Sequence, residues 1–282
     1  MYKGTDISPC ADICYLMEKY RFIDTHTHLY DEAFDGDREE AFARIAEAGV
    51  TDCIFPGIDM ESFARQSRVA EQYAGIVHEA IGLHPTSVGE NWKDELDFVK
   101  SKLKERNANG SSNRYVAVGE IGIDGYWSKE FIQEQKLVFK EQILLAREYG
   151  LPVIVHVRDA IEQVFEVMDE LALKDLEGVF HAYSGSYETY CRLKGYGDIK
   201  IGIGGVLTYK NAGVAKVIES VPLEDILLET DAPWLTPVPY RGKRNESTYI
   251  PIIAQKVAEI KGCSLEQVAN VTTSNAKLLF GI

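Results

Sequence analysis

Asp24-Thr25-His26-Thr27-His28 follows directly on a short apolar run. In an extended chain the side-chain period is two, so His26 and His28 leave the same side and can approach one ion together. Such a pair alone is as often hydrogen-bonded as metal-bound. Other apolar runs end in further candidate ligands: Val116-Ala117-Val118-Gly119-Glu120 in a carboxylate, Val153-Ile154-Val155-His156 and Gly178-Val179-Phe180-His181 in imidazoles, and Ile226-Leu227-Leu228-Glu229-Thr230-Asp231 in an acid. Each could separately cap a helix or satisfy backbone groups. Four of the chain's six histidines falling at such ends together has no comparable bland explanation. His26, His28, Glu120, His156, His181 and Asp231 carry the donor types of a first-row divalent metal site. His78 belongs to neither pattern and reads as ordinary.

The elements that must position these residues are the apolar runs Arg21–Thr25, Asp52–Phe55, Val77–Ile81, Tyr115–Ile121, Pro152–His156, Gly178–His181, Lys200–Ile203 and Asp225–Leu228. They are rich in Val and Ile, lack polar alternation, and lie roughly 20 to 40 residues apart, the reach of a helical crossover between buried parallel strands. Eight such units predict an α/β fold, a (β/α)8 barrel of the TIM type, in which several strand ends share one mouth. Between them Arg38–Ala48, Glu61–Tyr73, Lys129–Tyr149, Ala160–Leu171 and Ala212–Glu219 place apolar residues three and four apart, as helices do, with Gly49 and Gly150 at expected stops. Additional C-terminal helices, near Ile250–Lys261 and Leu265–Leu279, are expected to close one end of the barrel or pack outside it. Arg106–Arg114 reads as a surface loop and no domain-separating linker appears. One domain over 1–282 is therefore expected, with 1–20 as an N-terminal extension.

The 282 residues, 45% of them hydrophobic, can fill one such barrel, which takes about 250 residues. Against 30 basic residues stand 44 acidic ones, and the net charge of −14 repels a long polyanion laid across the general surface. Nucleic acid could be held only locally, so no extended binding surface is expected. Met1–Tyr20 lacks the basic start and apolar block of a secretory signal, and no run is long enough to span a membrane. Cys10, Cys14, Cys53, Cys191 and Cys263 are scattered and odd in number, which suits free thiols and a cytoplasmic setting. Cys10 and Cys14 would share a helix face, but no second pair lies nearby to complete a four-ligand site.

The motifs DTHTHL (Asp24–Leu29), GLHP (Gly82–Pro85), VGEIGID (Val118–Asp124), LPVIVHVRDA (Leu151–Ala160), GVFHAYSGS (Gly178–Ser186), GIGGVLTYKNA (Gly202–Ala212) and LLETDAPWLTP with RGKRNE (within Leu227–Glu246) occur in that order. From about Phe22 to Phe280 the chain resembles the TatD-like metal-dependent deoxyribonucleases, within the amidohydrolase-like barrels. The resemblance implies a phosphodiesterase acting on DNA as an exonuclease or endonuclease, with two divalent ions that are Zn, Mn or Mg. It implies His26, His28, Glu120 and Asp231 at a first ion and Glu120, His156 and His181 at a second, with Glu120 as the bridge. Dihydroorotase- and urease-like relatives bridge with a carbamylated lysine instead. It also implies a substrate contact or supporting role for His84, whose bland alternative is a turn hydrogen bond ahead of Pro85.

Such an ion pair lowers the pKa of a water between them and clamps the oxygens of an in-line phosphoryl displacement. Glu120 and Asp231 are the catalytic candidates, Asp231 because a ligating carboxylate keeps a second oxygen to orient or deprotonate that water. Arg158 and the cluster Arg241, Lys243, Arg244 and Asn245 offer donors where a phosphate would need them, enough for a DNA strand end or a short single strand. Their bland reading is a solvated charge run. The same centre could instead serve a small phosphoester, lactone or cyclic amide. The glycines Gly202–Gly205 lack the Gly-Lys-Ser/Thr of a phosphate loop and read as backbone packing. The family's usual GLDY appears as Gly122-Ile123-Asp124-Gly125-Tyr126-Trp127, Tyr183 stands where Phe is common, and Ser247 where Pro follows NE. Tyr126 and Trp127 either stack on a base or pack under their loop.

Overall fold

Eight parallel strands lie side by side in sequence order: β1 (Phe22–Asp24), β2 (Val50–Phe55), β3 (Val77–Ile81), β4 (Tyr115–Asp124), β5 (Val153–Arg158), β6 (Leu176–Phe180), β7 (Gly197–Ile203) and β8 (Ile226–Leu228). The amide of Thr25 donates to the carbonyl of Leu228 at 3.0 Å, and Thr27 bridges to Ala232, which closes the sheet into a barrel. The computed structural model describes residues 20–108 and 115–282; Cys10, Cys14, most of the expected N-terminal extension and 109–114 of the expected loop lie outside the described residues. Helices alternate with the strands: α1 (Arg38–Glu47), α2 (Met60–Gln72), α3 (Trp92–Ala108), α4 (Ile132–Tyr149), α5 (Ile161–Glu170), α6 (Tyr187–Lys194) and α7 (Val214–Ser220), with α8 (Ile250–Lys261) and α9 (Leu265–Phe280) after β8.

Local chemistry sets several of these limits. At α2 the Asp59 carboxylate accepts from the Ser62 amide at 2.8 Å and Ser62 Oγ accepts from the Asp59 amide at 3.3 Å, a reciprocal cap on two otherwise unpaired donors. Helix α4 stops at Gly150, whose φ of 60° is left-handed. Helices α3 and α6 were not expected from periodicity. The first buries Leu96, Val99 and Leu103 among many charged residues, and the second is one short run started by Ser186, whose Oγ accepts from the Thr189 amide. Because α3 continues to Ala108, the start of the expected Arg106–Arg114 loop is helical.

The barrel interior is built on the two-residue period. Ile23, Ile54, Ala80, Ala117, Ile154, Val179 and Leu227 pack together with Ala276, Leu279 and Phe280 of α9. The last helix thus plugs the N-terminal end, where Asn275 Nδ2 donates to the carbonyls of Leu223 and Ile226. Of the two expected placements, closing the barrel is the one found. Two residues beyond Ile154, Val179 and Leu227, on the same inward face, stand His156, His181 and Glu229. Apolar side chains fill the bottom and polar ones the mouth.

Strands β4 and β5 run further than the apolar pattern suggests. A register shift between Gly119 and Ile121 leaves Glu120 outside the pairing, which then resumes as Gly122 with His156, Ile123 with Val157 and Asp124 with Arg158. An extra residue of this kind re-aims its side chain, here the Glu120 carboxylate.

Candidate metal centre

The strand ends converge on Glu120, and its two oxygens face different neighbours. Oε2 lies 3.2 Å from His26 Nε2 and 3.9 Å from His28 Nε2, and those imidazoles lie 3.7 Å and 3.5 Å from Asp231 Oδ1. Oε1 lies 2.7 Å from His181 Nε2, 2.9 Å from His156 Nδ1 and 3.2 Å from His84 Nε2. His26 and His181 stack with centroids 3.9 Å apart, bringing the two sides together. All six expected ligands are therefore in one place, and His84 joins them at the carboxylate rather than only capping its turn. It does both, since its Nδ1 also accepts from the Thr86 amide.

Two of the imidazoles, His28 and His156, are oriented by hydrogen bonds from behind. Tyr30 Oη donates to the Pro56 carbonyl at 2.7 Å, so its contact of 2.8 Å with His28 Nδ1 has the imidazole donating, which leaves Nε2 as a lone pair facing the centre. His156 is held the other way round: Nε2 donates to Asp124 Oδ2 at 2.9 Å and Nδ1 faces Glu120. Behind His181, Glu229 Oε1 lies 3.9 Å from Nδ1 and accepts from the Ala182 amide at 2.5 Å. Gly202 makes room for this carboxylate, because a Cβ there would lie 2.0 Å from Glu229 Oε2. Asp24 ties β1 to the chain after β8, accepting from the His26 amide, the Thr230 amide and Thr230 Oγ1.

Proton affinities follow this crowding. Burial alone would raise the Glu120 carboxyl, but His181, His84 and His26 outweigh it and hold it well below the usual range. Burial opposes charge on His181 too, yet Glu120, Glu229 and Asp231 push it up to about 10. Burial dominates at His26, lowered to about 4, and at Asp24 and Glu229, raised to about 6 and about 8.

These residues fit divalent cations. Both ring nitrogens of His26 and Nδ1 of His181 are buried without a hydrogen-bond partner, a costly state unless something else satisfies them. Ligand atoms of His26, Glu120 and His181, of His26, His28 and Asp231, and of His84, Glu120 and His156 lie within 4.8 Å of one another in each group. Imidazole nitrogens mixed with carboxylate oxygens suit first-row divalent metals.

The rim residues divide. Arg158 is exposed and stacks on Tyr126, 3.6 Å above its ring. Arg241 lies over Tyr209 and Lys243 beside Tyr240, both exposed. Arg244 is instead taken up by Asp37, Glu246 and the Ala33 carbonyl. Asn245 is buried, and its Nδ2 donates to the carbonyls of Thr230 and Trp234, bracing the loop that carries Asp231. His78 pairs with Asp52 at 2.8 Å, away from the centre.

The profile of the family described as TatD related DNase matches residues 23–281. The chain belongs to the TatD family. It is 38% identical over 260 residues to the uncharacterized metal-dependent hydrolase YabD of Bacillus subtilis, covering 92% of this chain and 98% of that one. It is 31% identical over 265 residues to the 3'-5' ssDNA/RNA exonuclease TatD of Pantoea ananatis, covering 92% and 99%. The crystal structure of YJJV, a TatD homolog from Escherichia coli K12, superposes with a TM-score of 0.84 at 33% identity, covering 96% and 99%. The chain is accordingly a TatD-family metal-dependent hydrolase.

The three departures from the TatD motifs all fall near this centre: Gly122–Trp127 carries Asp124, which holds His156. Tyr183 Oη donates to the Ser186 carbonyl at 2.7 Å, and Ser247 Oγ donates to Thr27 Oγ1 at 3.2 Å. Sequence reasoning assigned no role to Asp124, Glu229 or Tyr30. The two-residue step from Leu227 to Glu229 was the available signal for the second of these. No helix among the described residues is long and apolar enough to cross a membrane.

Proposed function

We propose that the chain is a deoxyribonuclease, a single catalytic barrel that cleaves phosphodiester bonds of single-stranded DNA at two divalent ions. The two-sided setting of Glu120 carries this reading: one oxygen turns to His26 and His28, which also face Asp231, the other to His156 and His181. Bound there, the ions would supply Lewis acidity toward a phosphoryl oxygen and a lowered pKa for a water. Glu120 would bridge, with His26, His28 and Asp231 holding one ion and His156 and His181 the other. The several imidazoles favour Zn or Mn over Mg as resident metals.

Asp231 has one oxygen turned to the imidazoles, which leaves Oδ2 to accept a proton from the attacking water. His84, buried beside Glu120, is placed to touch a substrate oxygen. Arg158, Arg241 and Lys243 are the cations free to meet phosphate, whereas Arg244 and Asn245 serve the loop. Confining those cations to the rim reconciles a nucleic-acid substrate with a net charge of −14. The printed activity of the Pantoea relative, on single-stranded DNA and RNA, supports the same substrate class. Free Cys53, Cys191 and Cys263 among the described residues accord with a reducing, cytoplasmic setting.

The test is hydrolysis of end-labelled single-stranded DNA by metal-stripped protein resupplied separately with Mg, Mn or Zn. Cleavage should return with an ion and fall about a hundred-fold or more in Asp231→Asn, as expected for loss of a proton acceptor. Stoichiometric metal binding without cleavage under any ion would overturn the DNA reading and leave a small ester or lactone as substrate.

A further inference from the structure

The geometry points to a base-stacking subsite on the β4–β5 rim, formed by Tyr126, Trp127 and Arg158, which takes an unpaired nucleobase of the DNA strand held at the metal centre. It rests on the nuclease reading and adds the contact that would distinguish a polynucleotide from a small diester. Tyr126 is 52% and Trp127 71% exposed, so neither packs under its loop. Their rings meet edge to face, with centroids 5.0 Å apart and planes at 86°. The Arg158 guanidinium lies 3.6 Å over the Tyr126 ring and 5.5 Å from that of Trp127. Stacking occupies the face of a guanidinium but leaves its N–H edge for a phosphate. An open indole face beside a cation is the composition of sequence-tolerant single-strand binding.

The platform is fixed to the centre rather than loosely attached. Asp124 Oδ1 accepts from the amides of Tyr126 and Trp127, at 2.9 and 3.1 Å, while its Oδ2 holds His156. The Gly125 amide donates to the Arg158 carbonyl at 2.8 Å, and a Cβ on Gly125 would lie 2.8 Å from the Asp159 carbonyl oxygen. The loop is therefore pressed against the end of β5.

Charge selects this side of β5 over the other. The cleft between the ends of β5 and β6, about 390 Å³, reaches His181 but its outer lining carries Asp159 and Glu162 with no Lys or Arg, so its rim offers no cation to a phosphate as Arg158 does. On the opposite side of the ring of strands, the loop after β8 carries exposed Trp234, 5.2 Å from the His28 ring, and further on Arg241 and Lys243. A strand laid from one rim to the other crosses the centre.

The experiment is binding of a fluorescein-labelled oligothymidylate octamer with phosphorothioate linkages, which resist hydrolysis, to the manganese-loaded full chain. It is paired with kcat/KM for the ordinary octamer and for bis(para-nitrophenyl) phosphate. Trp127→Ala and Tyr126→Ala should each weaken octamer binding about five-fold or more and lower the octamer-to-diester ratio of kcat/KM by a similar factor, while Trp127→Phe retains most of both. Unaltered binding and ratio in the alanine variants, or no octamer binding by the unaltered protein, would overturn the subsite. Trp127-dependent binding without cleavage would keep the subsite and remove the nuclease reading. Cleavage with a ratio indifferent to Trp127 would do the reverse.

Discussion

Asp124 Oδ2 accepts from His156 Nε2 at 2.9 Å, so the imidazole presents Nδ1 to Glu120. Partners of this kind fix the tautomer and ring angle of a metal ligand, and their loss costs about 10- to 100-fold in metal affinity. Asp124→Ala should weaken Zn binding by that factor, with Asp124→Asn intermediate because its carbonyl can still accept. Chelator competition measures this directly; equal affinity in all three proteins would show that His156 needs no such support.

Gly202 and Glu229 make a second pairwise prediction. A methyl at Gly202 would fall 2.0 Å from Glu229 Oε2, a contact that cannot persist without displacing the carboxylate from behind His181. Gly202→Ala should destabilise by about 1–3 kcal/mol, as overpacking does. Adding Glu229→Ala should recover part of that loss, a coupling visible in denaturant midpoints. Strictly additive losses would place the strain elsewhere.

The ion-pair network around Arg244 gives a pH signature. Hydrogen bonding to Arg244 lowers the Asp37 carboxyl, with burial opposing and Arg44 adding to the effect, so it ends well below the usual carboxylate range. A depressed folded pKa means stability that is present above the unfolded value and lost as pH falls through the folded one. Asp37→Asn should therefore cost about 1 kcal/mol near neutral pH, modest because the group is partly exposed and screened. The difference from the unaltered protein should shrink below about pH 4, where an unpaired Asp titrates. A gap that stays constant into acid would rule out the charge on Asp37 as its source.

Much of this was legible because barrel strands end where their chemistry begins. His156 and His181 each close an apolar run, and the period of two puts them on the face of Ile154 and Val179. Asp124 and Glu229 were harder to read, since a carboxylate behind a histidine looks like any acid until β5 lies against β4 and the chain after β8 meets β6. Arg244 and Asn245 read as phosphate donors because their sequence neighbours are Arg and Lys. The Arg244 partners Asp37 and Ala33 are brought in only by closure of β8 onto β1, and Asn245 meets Thr230 only when the loop after β8 folds back on itself. Helix α3 escaped notice because its few apolar residues sit among charges, and the extension of β4 because a register shift at Glu120 interrupts the pattern.

The most direct measurement is equilibrium titration of the metal-stripped chain with Zn, counting ions bound per molecule. Two per chain are expected, falling to one when His156 and His181 are both replaced by alanine, because His26, His28 and Asp231 keep their own site. Glu120→Ala should weaken both. A single ion in the unaltered protein, or two bound undiminished by Glu120→Ala, would contradict the bridged centre on which the proposed chemistry depends.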